Sequence, residues 1–536
     1  MPRGCVVRHP DEGSVTLVCG IVAAYGDIDP EKCERMLARI NHRGPDDSGR
    51  IQLETAWLGH QRLSIMDVTG GKQPIADETG SAYVVGNGEI YNHEAIRDQL
   101  SEVRFATDSD TESAFRLVLR DGSAALHDLR GMYALAMAHT DGHGVVARDP
   151  IGIKPLYWAR LDDVTLFASE LRAFDEEDQP MVEAFPPGYV WTPGLPGANV
   201  ADGSMVRFAD AVPVHVRPAR YAPDKNWDEA TLSHVRMVLT DSVRRHMMSD
   251  VPVGVFLSGG LDSAIVAAVA AKVAQEKGEK LPTFAVGTEN SADLLAARAV
   301  AEYLGTEHHE IIPTAEDLEE ALDEAVTVIE HFDPALVRSA VPNLLLAREA
   351  VKHVKVVLTG EGADELFAGY SYVHEDPAFG TPDALQAELV RSIETLHELN
   401  LQRCDRTTMN YGLEARVPFL DATVMEEMLA VPAEWKLMGE GRTEKQLLRE
   451  AFQDMVLDDI LWRGKEQFGD GSGAGEVLAE LVEKEKAKEG AQGAEAPAVE
   501  NGWDLRSDEE IAYYRTWVRT FSGVRPNRTL GAFATA

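Results

Sequence analysis

The sequence is short of several things, and each shortage excludes something. Four cysteines, Cys5, Cys19, Cys33 and Cys404, are scattered through 536 residues with no CxxC pair. That excludes a disulfide framework and a cysteine-based zinc site. Each cysteine taken alone is expected as a small buried hydrophobe, in a reducing, cytoplasmic compartment. No run of 18 apolar residues occurs, so no membrane span is expected. The opening segment MPRGCVVRHPDEG has no apolar stretch of the kind a signal peptide needs. Positive charge is scarce. Lys plus Arg number 51 against 89 Asp plus Glu, a formal charge of −38. A duplex phosphate backbone would be repelled, which argues against general nucleic-acid binding. The acid is spread along the chain and lysine is sparse beside arginine. A surface adapted to high salt, from a halophilic source, is the expected reason.

What remains is ample for folding. Hydrophobic residues make up 44% of the chain, and the length calls for two or three domains. From Cys19 to about residue 205, short apolar runs at 20–26, 82–92, 133–139, 144–149 and 165–170 alternate with Gly, Pro, Asp and His turns. They predict stacked sheets, with helices at 30–40 and 112–122. A Pro- and polar-rich stretch, 206–227, reads as a linker. Beyond it the period changes. Strand-like runs at 251–257, 283–287, 308–312 and 354–360 alternate with helical stretches such as 264–275. That pattern predicts an α/β, doubly wound parallel sheet with helices on both faces and a helical extension after Ser371. Residues 484–502 are of low complexity and expected to be mobile. The stretch 507–521, capped by Ser507, predicts a docked helix, and 522–536 reads as a tail.

Two motifs in this second half carry chemistry. Ser258-Gly259-Gly260-Leu261-Asp262-Ser263 joins a buried strand to a helix. Glycines there permit close backbone approach, and the helix amides point at an anion. The Gly-Lys-Ser/Thr ending of a Walker loop is missing. The motif resembles the pyrophosphate loop of ATP pyrophosphatases, which adenylate a substrate. Thr359-Gly360-Glu361-Gly362-Ala363-Asp364-Glu365 follows the strand VKVVL. Both motifs lie at carboxyl ends of strands, where ligands of open α/β sheets bind, so they can face each other. Asp262 and Asp364 beside a triphosphate need a cation, which makes them candidate Mg²⁺ ligands. Arg338 and Lys465, in WRGKEQFGDG, are candidate cations for transferring phosphates.

In the first half, Cys19-Gly20-Ile21-Val22 gains force from HRGPD (42–46), RLSIMD (62–67), NGEIYN (87–92) and Ser109-Asp110. Together they resemble the glutaminase domain of N-terminal-nucleophile (class II) amidotransferases, an α+β fold of stacked sheets. With SGGLDS, TGEGADELFAGY and GLEARVPFLD (412–421), the whole resembles glutamine-hydrolysing asparagine synthetase. The resemblance runs from Cys19 to about Phe521 and is weak only across roughly 474–505.

It implies roles. Cys19 attacks the side-chain amide of glutamine, with its own α-amine as base. Arg62 binds the glutamine carboxylate, and Glu89 and Asp110 its amino group. Asn87 and the Gly88 amide form the oxyanion hole. ATP contacts Leu257, Ser258, Gly259, Gly260, Asp262, Ser263, Val286, Thr359 and Gly360. Glu361 supports formation of β-aspartyl-AMP, which ammonia attacks after crossing an internal tunnel. The implied substrates are glutamine, aspartate and ATP, and the implied assembly is a homodimer. An amidotransferase that adenylates another acid, and a non-catalytic relative, stay open as alternatives.

One departure is chemical. In the family the cysteine is the first residue. Here a peptide bond precedes it, and an amide nitrogen cannot accept the proton that a free α-amine, with a pKa near ~7.7–8.0, can. Residues 1–18 are therefore expected to be absent from the active enzyme, either processed away or never made because translation starts at a GTG codon for Val18.

Overall fold

The computed structural model describes residues 19–532 apart from 45, 195–199, 213–225, 440, 465–479, 481–482 and 485–502. The expected mobile stretch, apart from Lys484, and the segment 1–18 with its Cys5 lie outside the described residues.

Two six-stranded antiparallel sheets form the first domain. One runs, in spatial order, Val182–Ala184, Tyr157–Arg160, Val164–Ala168, Gly20–Gly26, Ala56–Arg62 and Asp47–Gln52. The other runs Ser204–Arg207, Tyr189–Thr192, Gly144–Arg148, Gly131–His139, Ala82–Ile90 and Ile75–Ala76. Alternation along the strands explains the stacking. Ile21, Ala23 and Tyr25 of the first sheet meet Val85, Ala134, Ala136 and Trp191 of the second in one buried cluster. Val22 and Ala24 point the other way, onto Met36 and Leu37 of the helix Pro30–Arg39. That helix starts where expected, because Pro30 occupies its first turn and the Asp29 side chain accepts from the Glu31 and Lys32 amides.

Sequence and structure differ at the edges of this domain. The strand Ser204–Arg207 pairs with Tyr189–Thr192, so Val206 and Arg207 belong to the sheet and not to the linker. The strand Ala56–Arg62 is buried at every position, so it lacks the alternation that reveals a half-buried strand.

The second domain holds a five-stranded parallel sheet in the order Glu307–Ile311, Pro282–Val286, Val253–Phe256, Val356–Leu358 and Glu414–Arg416. Chain order along the sheet is thus 3-2-1-4-5. The direction of winding reverses between Val253–Phe256 and Val356–Leu358, which is where such a sheet opens a crevice. The helix Leu261–Glu276 is buried along most of its length, as its nearly unbroken apolar sequence requires.

The helix Asp508–Trp517 is docked as expected. The Ser507 side chain caps it by accepting from the Glu510 amide. Trp517 is buried with its ring 5.3 Å from that of Phe332. Residues 522–532 of the expected tail also fold back. Gly523 donates to Gln179, Arg528 pairs with Glu183, and the Gly531 carbonyl meets His331. No described helix is long and apolar enough to cross a membrane.

Candidate functional site

Cys19 immediately precedes the central strand Gly20–Gly26. Its sulfur accepts from the Leu63 amide at 3.4 Å and lies 3.6 Å from the Leu63 carbonyl. Burial pushes the thiol up to about 12, so at neutral pH it is protonated and needs a base before it can attack. Arg43 holds the other end of the residue by donating Nε–H to the Cys19 carbonyl at 3.1 Å.

Of the residues expected around it, Glu89 and Arg62 lie near enough to act on the charge of the thiol. Asn87, Gly88 and Glu89 share the strand Ala82–Ile90. Asn87 is fully buried, yet neither its amide oxygen nor its amide nitrogen has a hydrogen-bond partner. A buried amide left unsatisfied is costly, and its use by a ligand is the natural account. Gly88 is at φ +131°, and a Cβ there would sit 1.9 Å from the Met132 carbonyl oxygen, so only glycine fits. Glu89 is buried with Oε1 3.1 Å from Nη2 of Arg416, while Oε2 is buried without a partner. Asp110 opens the helix Asp110–Asp121 and accepts from the Ile90 amide at 2.6 Å. Burial raises the carboxyls of both Glu89 and Asp110. Arg62 donates to the carbonyls of Met66, Asp67 and Val68, so in this structure it braces the loop after its own strand.

The second constellation lies at the crevice of the parallel sheet. Leu257 ends the run of Val253–Phe256 and donates its amide to the Phe284 carbonyl at 2.8 Å. Ser258 and Ser263 close the loop, their hydroxyls 2.9 Å apart and the Ser258 amide donating to Ser263 Oγ. Gly259, at φ +76°, passes so near the helix Ala292–Leu304 that a Cβ would lie 2.5 Å from the Asp293 carbonyl oxygen. Gly360 touches the same loop, since a Cβ there would meet Asp262 Cβ at 2.9 Å. The two motifs therefore do face each other. Val286 ends its strand buried beside them in the sheet. The Thr359 amide donates to the Arg416 carbonyl, and its hydroxyl accepts from the Glu361 amide.

Arg338 gives both arms of its guanidinium to Glu509 of the docked C-terminal helix. The structure thus uses it to hold that helix, and the cation between the site carboxylates is another residue. Lys465 lies outside the described residues. The residue that sequence reasoning missed is Lys445. Its ammonium is 2.6 Å from Asp262 and 2.6 Å from Asp364. Burial alone would lower its pKa, but the two carboxylates outweigh that and raise it, so it stays charged. Gly369 leaves room for the pair, for a Cβ there would lie 2.0 Å from Asp364 Oδ1. Arg403, also missed, is ion-paired to Glu361. Neither belongs to a Gly-rich motif, so the sequence carries no local signal for them beyond a lysine in a lysine-poor chain.

Comparison with known proteins decides what this pairing of sites belongs to. Residues 18–186 match the family described as a glutamine amidotransferase domain, and residues 234–384 and 373–521 match the one described as asparagine synthase. An asparagine synthetase [glutamine-hydrolyzing] of Arabidopsis thaliana is 38% identical over 480 residues, spanning 85% of this chain and 79% of the relative. The chain belongs to the glutamine-hydrolysing asparagine synthetase family. A relative in Asparagus officinalis is also 38% identical over 480 residues, covering 85% of this chain and 78% of its own. One in Sandersonia aurantiaca is 36% identical, covering 85% and 87%. In this synthetase the Cys19 pocket falls within the amidotransferase match, and the crevice with Lys445 falls within the synthase match.

Proposed function

We propose that the protein makes asparagine from aspartate, ATP and glutamine, with the chemistry divided between the two sites. At the first, the Cys19 thiolate attacks the amide carbon of glutamine, ammonia leaves, and water hydrolyses the thioester to glutamate. The proton from the thiol goes to the α-amine of Cys19, once that residue is the first of the chain, and from there to the departing nitrogen, which leaves as ammonia. Asn87 and the Gly88 amide hold the oxygen that becomes negative. At the second, the β-carboxylate of aspartate attacks the α-phosphorus of ATP and pyrophosphate leaves. Ammonia then attacks the acyl carbon of β-aspartyl-AMP, and AMP leaves. The observation that carries this reading is the contact of the Ser258–Ser263 loop with Gly360 across the crevice, with paired carboxylates and a buried lysine at the point of contact.

Asp262 and Asp364 suit Mg²⁺, because both carboxylates already converge on one cationic position and offer hard oxygen donors. When bound, the ion would neutralise charge on the pyrophosphate. Lys445 keeps the two carboxylates from repelling each other and supplies a fixed positive charge beside the leaving group. Arg403 holds Glu361 at the crevice.

The test is product formation from aspartate and MgATP with either glutamine or ammonia, on the chain beginning at Cys19 and on the full 536 residues. Both chains should make asparagine from ammonia. Only the former should use glutamine well, because a general base contributes roughly 10²–10⁴-fold. Efficient glutamine use by a chain whose intact mass retains residues 1–18 would refute the role given to the α-amine. An amide of another acid would refute aspartate as acceptor.

A further inference from the structure

The glutamine pocket is not completed by its own domain. Glu89 is ion-paired at 3.1 Å with Arg416, the last residue of the strand Glu414–Arg416 in the synthetase domain. Arg416 is fully buried. Its Nε donates to Glu414 at 2.8 Å, and Nη1 donates to the carbonyls of His246 and Met248 at 2.8 and 2.5 Å. Three synthetase-domain oxygens thus fix the guanidinium and leave Nη2 facing Glu89. One oxygen of Glu89 faces Nη2 as an ion pair without a hydrogen bond and the other is buried and unsatisfied, which is the state of a carboxylate with room for one more cation. The main chain of the same arginine accepts from the Thr359 amide at 3.0 Å, at the start of the second ATP motif.

We propose that Arg416 is a positioning residue of the glutamine site, supplied across the domain interface, that fixes Glu89 so that its second oxygen meets the ammonium group of glutamine. The proposal rests on the reading of Glu89 as the ligand of that ammonium. One side chain then reaches the glutamine pocket while its own carbonyl holds the ATP loop. The charges around Glu89 show why a cation is needed there. Burial disfavours its ionised form, Asp110 and Glu414 add to that, and Arg416 with Lys154 opposes it. Even beside Arg416 burial holds this carboxyl above the ordinary range; without Arg416 it keeps two acidic neighbours, loses its nearest cation and shifts further toward the neutral form that binds an ammonium poorly. Lysine cannot replace the fork, because Nε, Nη1 and Nη2 each serve a different partner.

The experiment measures KM and kcat for glutamine hydrolysis without ATP on the purified chain beginning at Cys19. The variants are Arg416→Met, Arg416→Lys, Glu89→Gln and the double variant Glu89→Gln/Arg416→Met, each checked for cooperative thermal unfolding. Arg416→Met should raise KM by about tenfold or more with kcat falling less than about threefold. Arg416→Lys should give an intermediate KM. In the Glu89→Gln background, adding Arg416→Met should change KM by less than about twofold, because residues that act through each other are not additive. A folded Arg416→Met enzyme with unchanged KM overturns the proposal, as does an equal rise in the Glu89→Gln background. If Arg416→Met fails to fold, Arg416→Lys decides alone, and an unchanged KM there overturns it. Glu89→Gln by itself tests the underlying reading. An unchanged KM in that variant refutes the role of Glu89, whatever Arg416 does.

Discussion

The two sites of this enzyme balance their charges in opposite ways. The carboxylates of the parallel-sheet crevice already carry cationic partners, because Asp262 and Asp364 both touch Lys445, and Glu361 is paired with Arg403. The Cys19 pocket is open in the chemical sense. Both polar atoms of Asn87 and one oxygen of Glu89 are buried without partners, and the nearest counter-charge to Glu89 comes from the other domain. The difference follows the ligands. A zwitterionic amino acid brings its own ammonium to satisfy a waiting carboxylate. A polyanion needs cations that are in place before it arrives. A chain with a formal charge of −38 therefore invests its few basic residues inside. Arg43, Arg406 and Arg416 are among its most buried large side chains, and all three lie on the contact between the domains, where acidic partners hold them.

The largest effect should come from breaking the first site alone. Cys19→Ala is expected to lower glutamine-dependent synthesis by roughly 10³-fold or more, because no other group can form the thioester. Ammonia-dependent synthesis should persist. Loss of both in a folded variant would show that the sites are not chemically separable.

A smaller effect should follow at the second site. Lys445→Ala removes the cation from between two carboxylates and should cost roughly 10²–10³-fold in ammonia-dependent synthesis. Glutamine hydrolysis without ATP should change little, since among the described residues the ion pairs of Lys445 are with Asp262, Asp364 and Glu444. Higher Mg²⁺ should restore part of the loss by neutralising the same carboxylates. A drop in glutamine hydrolysis as large as the drop in synthesis would erase the contrast between the sites.

How much of this could be read from the chain depends on the distance between partners. SGGLDS and TGEGADE were legible because each follows a buried apolar strand and carries glycines that the local backbone requires. Cys19, Asn87, Gly88 and Glu89 were legible through resemblance. The strand Glu414–Arg416 was not read as a strand, because Glu-Ala-Arg looks like solvated surface. It is buried because its two charges find partners from elsewhere: Glu414 meets Lys154 and Arg416 meets Glu89. Lys445 was missed for the same reason, its partners lying 183 residues back and in the second motif. The partner of Arg338, Glu509, lies 171 residues on, which no local pattern shows. Local rules show where glycines and apolar runs must go, while the pairing of buried charges is settled only by the fold.

That pairing predicts a response to acid that also separates the interface from the glutamine pocket. Glu170, Asp405 and Glu414 are buried between the domains. Burial alone would raise their carboxyls, but Arg43, His42 and Arg172 around Glu170, Arg43 and Lys154 around Asp405, and Lys154 and Arg416 around Glu414 outweigh it and hold all three below the ordinary carboxylate range. A carboxyl depressed on folding contributes stability that is complete above its unfolded value, about 4, and that is lost as the pH falls through the lower folded value. Glu89 and Asp110 are raised, so protonating them favours the folded state and works against the loss. Asp405→Asn isolates the interface from that opposing effect. It should lower the thermal midpoint at neutral pH, because it replaces one of the two oxygens that accept from Arg43 by a donor and removes the negative charge. The gap between parent and variant should stay constant above about pH 5 and narrow below about pH 4, as the parent's Asp405 takes up its proton. A gap that is the same at every pH would mean that Asp405 holds the domains together by shape and hydrogen bonding, with its charge contributing nothing.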